Sequence, residues 1–149
     1  KIAFGYEGDY QDMKIDICNK EDIKAIVDGL NAYNLEKVSA LSSIWTPLEF
    51  NIKNNNDVVI GGVLAGINYW NGLEIKILWV EENYRQQGFG SALLRHLEHE
   101  AKIRGASMAM ADTFDFQAEG FYLKYNYEVI GELKGFPKHH KRIYFSKVL

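Results

Sequence analysis

Val80-Glu81-Glu82-Asn83-Tyr84-Arg85-Gln86-Gln87-Gly88-Phe89-Gly90-Ser91-Ala92-Leu93-Leu94 is the stretch whose reading decides the fold. It begins where an apolar run with strand character, Leu73 to Val80, gives way to polar, turn-tolerant residues. Arg85 to Gly90 follow, and an amphipathic helix starts near Phe89. A strand, a short glycine-bearing loop and a helix N-terminus make an anion site. The first helical turn has unpaired N–H groups at the positive end of the macrodipole. Gly88 and Gly90 carry no Cβ, so the backbone can come close to a phosphate. A phosphorylated ligand is expected here.

Spacing narrows the choice of ligand. A dinucleotide fingerprint needs G-x-G-x-x-G, but Leu93 stands where its third glycine would be. A P-loop needs a Lys after its last glycine, and neither glycine here has one. What remains is R-x-x-G-x-G, carried by Arg85, Gly88 and Gly90. This loop resembles the coenzyme A pyrophosphate loop of the GCN5-related N-acetyltransferase (GNAT) family. Some 30 residues on, Ala118-Glu119-Gly120-Phe121-Tyr122-Leu123-Lys124-Tyr125-Asn126-Tyr127 resembles that family's A-x-x-F-Y-x-K-x-G-F segment. The likeness spans Ile15 to the C-terminus. Two departures stand out: Asn126-Tyr127 replaces Gly-Phe, and Asp115 occupies a position where the family often has a cofactor-touching Asn. Asn tolerates the left-handed conformation, so the turn at Asn126 is expected to survive.

Composition sets bounds. The 149 residues, 47% hydrophobic, suffice for one domain with ample core. A formal charge of −3 argues against a general nucleic-acid binder. The single cysteine, Cys18, fits a reducing compartment. The longest apolar run, Val58 to Ile67, contains three glycines and falls far short of the ~20 residues of a membrane span. A cytoplasmic protein is therefore expected. Met13 reads as a natural start, with Lys1–Asp12 as an N-terminal extension and residues 13–149 as one domain. Lys134, Lys138, Lys141, Arg142 and Lys147 make the C-terminal part basic, which is read first as a solvated hairpin.

Along the chain, Lys14 to Asn19 alternates as a short strand, and Lys20-Glu21-Asp22 opens a helix with an apolar stripe of Ile23, Ile26, Val27 and Leu30. Asn31 to Thr46 reads as more helix with a loop, ending at Pro47. Leu48–Lys53 is a strand, and Asn54 to Asp57 is a turn. Val58–Tyr69 and Leu73–Val80 form a hairpin about an Asn71-Gly72 turn. A helix follows over Phe89–Arg104, with Ala92, Leu93, Leu97 and Ala101 buried and Gly105 capping it. Ser107–Asp112, Gln117–Lys124, Tyr127–Glu132 and Arg142–Val148 complete the pattern as strand, helix, strand and strand. The order β-α-β-β-β-α-β-α-β-β is that of an α/β (α+β) fold. By resemblance it is a GNAT-like mixed sheet of six to seven strands, splayed in the middle, with helices on both faces.

The resemblance further implies an acetyl-CoA-dependent N-acetyltransferase, in which a primary amine attacks the thioester directly in a ternary complex. The backbone of Leu78, Trp79 and Val80 would pair with the pantetheine arm, one N–H polarising the thioester carbonyl as an oxyanion hole does. Amides from Gln86, Gln87, Gly88, Phe89 and Gly90 would take the pyrophosphate, helped by Arg85, and Lys124 would assist the cofactor. Tyr122 matches the tyrosine of the F-Y pair and is the candidate general acid for the departing thiolate, since a phenol near pKa ~10 is protonated at neutral pH. Glu74, on the polar face of its strand, and Asp112, at a strand end, are alternative general bases; Asp112 is preferred. The resemblance also allows that no dedicated strong base is needed, as in many members of the family.

Asp112, Asp115 and Glu119 cluster around the expected acceptor mouth, which suits a small cationic amine. The acceptor groove is expected from residues 22–47, which include Tyr33 and Trp45. A peptide or protein lysine, an N-terminal amine, or a non-catalytic acyl-CoA-binding role are the alternatives. Cys18 is expected as a buried structural thiol. His96 and His99 are three apart, and no four-ligand metal set is visible. The Pro137–Lys141 segment resembles a P-x-G-H stretch of one branch of the family, and a role for its His140 is the minority reading. Trp70 and Tyr144 leave a homodimer open.

Overall fold

In a computed structural model of the chain, residues 14–149 are described; the expected extension, residues 1–12, and Met13 lie outside them. The chain divides into two compact units, one ending at Ser39 and one running from Ala40 to Leu149. The first holds α1, Lys20–Lys37. Its start is fixed by a capping box: Asn19 Oδ1 accepts from the Asp22 amide at 2.8 Å, and Asp22 Oδ2 accepts from the Asn19 amide at 2.9 Å. Lys14–Asn19 forms no strand, because none of the described residues pairs with it. An alternating pattern without a neighbouring edge has no outlet for its backbone hydrogen bonds. Cys18 is accordingly exposed rather than a buried thiol.

The second unit is a six-stranded mixed sheet with the order β1-β2-β3-β4-β6-β5. The strands are β1 Trp45–Lys53, β2 Val59–Asn68, β3 Gly72–Val80, β4 Met108–Phe114, β5 Glu128–Lys134 and β6 Lys141–Val148. The helices are α2, Phe89–Ile103, and α3, Glu119–Lys124. β1 starts three residues earlier than expected. Trp45 pairs with Asn68, and its ring lies where a Cβ on Gly66 would be, 2.2 Å from the position such an atom would take. Pro47 sits within β1 without cost because β1 is an edge strand and its missing N–H can face away from β2.

One face of the sheet carries the core. Leu48, Val63, Ala65, Ile67, Leu73, Ile75, Ala109, Ala111, Ile143 and Phe145 meet Leu93, Leu94, Leu97 and Ala101 of α2, with Tyr122 and Tyr127 beside them. Leu94 takes the buried place expected of Ala92, which is exposed; the apolar stripe is turned by one residue around α2. Beneath it Glu98, only 9% exposed, accepts from Lys147 Nζ at 2.9 and 2.8 Å and from the Tyr127 hydroxyl at 3.0 Å. A buried carboxylate needs such partners to remain charged.

Two irregularities shape the site. Ala65 opposes Ile75 while Leu64 opposes Ile77, so Lys76 is an extra residue in β3. This bulge resets the alternation, and Leu78 and Val80 join Leu73 and Ile75 on the core side. Second, β3 and β4 pair in parallel only over Gly72–Glu74 and Met108–Met110. Beyond Glu74 the strands part, so the expected central splay is present, and among the described residues no strand lies against the β4-side edge of β3 from Ile75 to Val80. No helix of the described residues is long and apolar enough to cross a membrane.

Candidate active site

The loop after β3 is held by its own side chains. The Arg85 guanidinium donates through Nε to the Val80 carbonyl at 3.0 Å, folding the loop back on the strand end. Gln87 Nε2 donates to the Asn83 carbonyl at 3.0 Å, and Glu81 Oε2 accepts from the Asn83 amide at 3.0 Å. Gln86 has φ 60° and Gly88 φ 87°. The Gly88 conformation is open to glycine and strained for most other residues. The first bond of α2 runs from the Ala92 amide to the Gly88 carbonyl, 2.9 Å. Among the described residues no acceptor meets the backbone N–H of Gln86, Gln87, Gly88, Phe89, Gly90 or Ser91. Six consecutive free donors at the start of a 15-residue helix fit a pyrophosphate. Arg85, expected to help with position or charge, is seen here holding position.

Sequence reasoning did not single out Ser91 or Tyr125. The Tyr125 hydroxyl bonds the Ser91 hydroxyl, tying α3 to the first turn of α2. Phe121 rests against Gly90, where an added Cβ would lie 3.5 Å from its ring. Asn126 adopts φ 64°, so the turn that usually takes Gly is made by Asn as expected. Lys124 is exposed, with Nζ 5.8 Å from the Tyr125 ring centroid.

Tyr122 is buried at 4% exposure among Phe121, Tyr127 and Phe145. Burial, reinforced by the Asp112 charge, pushes its phenol up to about 12. The hydroxyl therefore stays protonated throughout the neutral range. It makes no hydrogen bond to a described residue, and it is absent from the groups sealed from solvent without a partner. The oxygen thus keeps some access to the outside.

The carboxylates are less free than the sequence suggests. Asp112 Oδ2 accepts from Arg142 through Nε at 2.6 Å and Nη2 at 2.5 Å. Asp115 Oδ1 meets His140 Nδ1 at 3.0 Å. Glu119 lies 3.7 Å from Lys141, which also bonds Glu132 at 2.7 Å. Three consecutive residues, His140 to Arg142, thus engage the three acids expected to make a negative mouth, Lys141 and Arg142 as cations and His140 as a hydrogen-bond partner. The basic C-terminal part is mostly internally paired, since Lys147 is spent on Glu98. Glu74 accepts from Lys76 Nζ at 2.5 Å and Asn68 Nδ2 at 3.1 Å. Burial pushes the Glu74 carboxyl up, but those two hydrogen bonds and the Lys76 charge outweigh it and leave it below the usual carboxylate value. Among the described residues no three His, Cys, Asp or Glu side chains gather as a metal site.

An open strand edge thus lies beside a cradle of backbone amides. Comparison with known proteins gives the family. The sequence model of the Acetyltransferase (GNAT) family matches residues 24–142. An acetyltransferase of Agrobacterium fabrum is 36% identical over 118 residues, covering 79% of this chain and 84% of that one. The blasticidin-S acetyltransferase of Streptomyces morookaense is 33% identical over 79 residues, 52% of this chain and 58% of that one. A crystal structure of an acetyltransferase from Bacillus cereus superposes with a TM-score of 0.83 at 30% identity, over 92% of this chain and 98% of that one. The chain belongs to the GNAT acetyltransferase family and is an acyltransferase.

Proposed function

We propose that the protein is an acetyl-CoA-dependent N-acetyltransferase that acetylates a primary amine of a small molecule by direct attack in a ternary complex. The observation that carries this reading is the run of six unpaired amides, Gln86 to Ser91, placed at the end of the open β3 edge. The amides take the pyrophosphate, with Arg85 shaping the loop and Lys124 near the phosphates. The free edge at Leu78, Trp79 and Val80 accepts the pantetheine arm as an added strand. An amide of this bulged edge polarises the thioester carbonyl where negative charge develops in the transition state.

Tyr122 supplies the proton to the departing thiolate, kept protonated by its burial and by the charge of Asp112. In this reading Asp112 and Glu74 act through charge, because each would have to give up a cation to accept a proton. The small-molecule acceptor draws on the likeness to an enzyme named for blasticidin-S. A reducing, cytoplasmic setting belongs to the same reading, with Cys18 exposed.

Calorimetric titration with acetyl-CoA, followed by free-thiol release with a panel of small amines and lysine peptides, tests it. Micromolar binding and turnover of a small amine are expected. Binding without turnover of any amine would leave a non-catalytic acyl-CoA module. No binding would remove the reading altogether.

A further inference from the structure

Direct attack needs a neutral amine, so something must take the ammonium proton. The acids near the opening are engaged: Asp112 with Arg142, Glu119 with Lys141, and Glu74 with Lys76. One basic nitrogen is not. His140 bonds Asp115 through Nδ1 at 3.0 Å, and its other ring nitrogen meets no hydrogen-bond partner among the described residues. An ionised carboxylate only accepts, so Nδ1 carries the hydrogen, and in the neutral imidazole it is Nε2 that presents the lone pair. The edge of the Phe116 ring, 4.9 Å between centroids, helps fix the imidazole plane. The side chain is still 45% exposed, against 27% for Asp115, so Nε2 can be reached by an incoming molecule.

The pair lies at the C-terminal end of β4, beside the Arg142–Asp112 pair whose carboxylate charge is felt by Tyr122. β3 and β4 run parallel from their joined starts, so their C-terminal ends flank the opening on the same side. The β3 end leads into the amide cradle, and the β4 end leads through Phe114 into Asp115. The Asp115 backbone is itself fixed, its amide donating to the Lys141 carbonyl at 3.1 Å. Gln117 Oε1 accepts from the Phe114 amide at 3.0 Å and closes the same turn.

We propose that His140 is the general base of this enzyme and that Asp115 is its positioning residue, an inference that rests on the acetyltransferase reading above. His140 Nε2 takes one proton from the acceptor ammonium. The freed lone pair attacks the thioester carbon, forming the C–N bond, and collapse of the adduct breaks the C–S bond. Tyr122 protonates the thiolate and regains its proton from the nitrogen of the new amide. The imidazolium, held by Asp115, releases its proton to solvent, so one proton leaves per amide made.

A test needs no knowledge of the natural acceptor, since acetyl-CoA hydrolysis also requires a base to activate water, whereas hydroxylamine is already neutral near neutral pH. Both reactions are followed by thiol release in wild type, His140→Gln and Asp115→Asn, with acetyl-CoA affinity measured by calorimetry. His140→Gln is expected to slow hydrolysis about 100-fold and hydroxylamine transfer by less than about threefold. Asp115→Asn should slow hydrolysis about tenfold, and acetyl-CoA affinity should be unchanged in His140→Gln.

The wild-type hydrolysis rate should fall on the acid side as the imidazole takes up a proton, and His140→Gln should lack that fall. The charged neighbours in this profile are Asp115 after β4, Asp112 of β4 with Arg142, Glu119 of α3 and Glu132 of β5 with Lys141, and Lys138 and His139 on the same turn. Equal losses for water and hydroxylamine, or an acid limb that persists in His140→Gln, would overturn the proposal. Failure of wild type to bind acetyl-CoA would instead overturn the acetyltransferase reading, and the dyad with it.

Discussion

The turn from β3 into α2 and the turn from β4 into α3 lie at the same end of two parallel strands, yet they are made of different materials. The first works with backbone: six amides, a left-handed glycine and a helix start, with side chains such as Arg85 and Gln87 spent on holding the loop. The second works with side chains drawn from distant parts of the chain, Asp112 with Arg142, Asp115 with His140 and Glu119 with Lys141. A backbone site is specified by a few adjacent residues that permit a conformation. A side-chain site is specified by partners 22 to 30 positions apart, brought together by the β4–β6 pairing. Affinity for the cofactor should accordingly reside in the first turn and turnover in the second.

The largest expected effect strikes both turns at once. Glu98 lies on α2 and Lys147 on β6, so the ion pair beneath the core supports both walls. Glu98→Ala leaves the half-buried Lys147 ammonium and the buried Tyr127 hydroxyl without their acceptor and should cost about 3 kcal/mol in chemical denaturation. A loss below about 1 kcal/mol would show the pair to be peripheral. Next, Gly88→Trp strains a φ of 87° and places a bulky ring over the amides. Calorimetry should show at least about a 100-fold loss of acetyl-CoA affinity, roughly 2.7 kcal/mol. No Cβ contact lies within 4 Å at this position, so the fold should persist by circular dichroism.

Tyr122→Phe is the mirror experiment on the other wall. Turnover should fall roughly 10- to 100-fold with acetyl-CoA affinity within about twofold. A parallel loss of affinity would mean that the two turns do not divide the work. The same variant has a pH signature. Burial raises the Tyr122 phenol from 10.0 to about 12 and pushes Tyr127 up still further, helped by Glu98. Both are neutral in the folded state, so their contribution to stability is full below 10; the Tyr122 part is lost as pH rises through about 12, and the Tyr127 part persists higher. Tyr122→Phe should show a shallower decline of stability over that interval. The smallest effect concerns Cys18, which is exposed and should react fully with a thiol reagent in the native protein without changing Tm.

The same contrast explains what the sequence disclosed. Gly88, Gly90 and Arg85 announce the amide cradle because glycine spacing directly reports a backbone conformation. The hairpin about Asn71 and the helix from Phe89 were legible for the same local reason. Lys14–Asn19 had the alternation of a strand, but alternation says nothing about whether a partner edge exists. The bulge at Lys76 and the parting of β3 from β4 leave no local mark, since both depend on how two strands meet. Asp112, Asp115 and Glu119 read as a negative mouth because their charges were counted without the basic side chains that the β5–β6 hairpin brings to them. His140 was visible as a histidine, but only its contact with Asp115 shows which nitrogen is free.

The central claim is that the cofactor is held by the backbone of one short segment. The most direct measurement is an amide-resolved NMR titration of the protein with coenzyme A. The account predicts large, saturating shifts at the amides of Gln86 to Ser91 and along the β3 edge from Leu78 to Val80. Saturable binding that leaves Gln86 to Ser91 unmoved would contradict it.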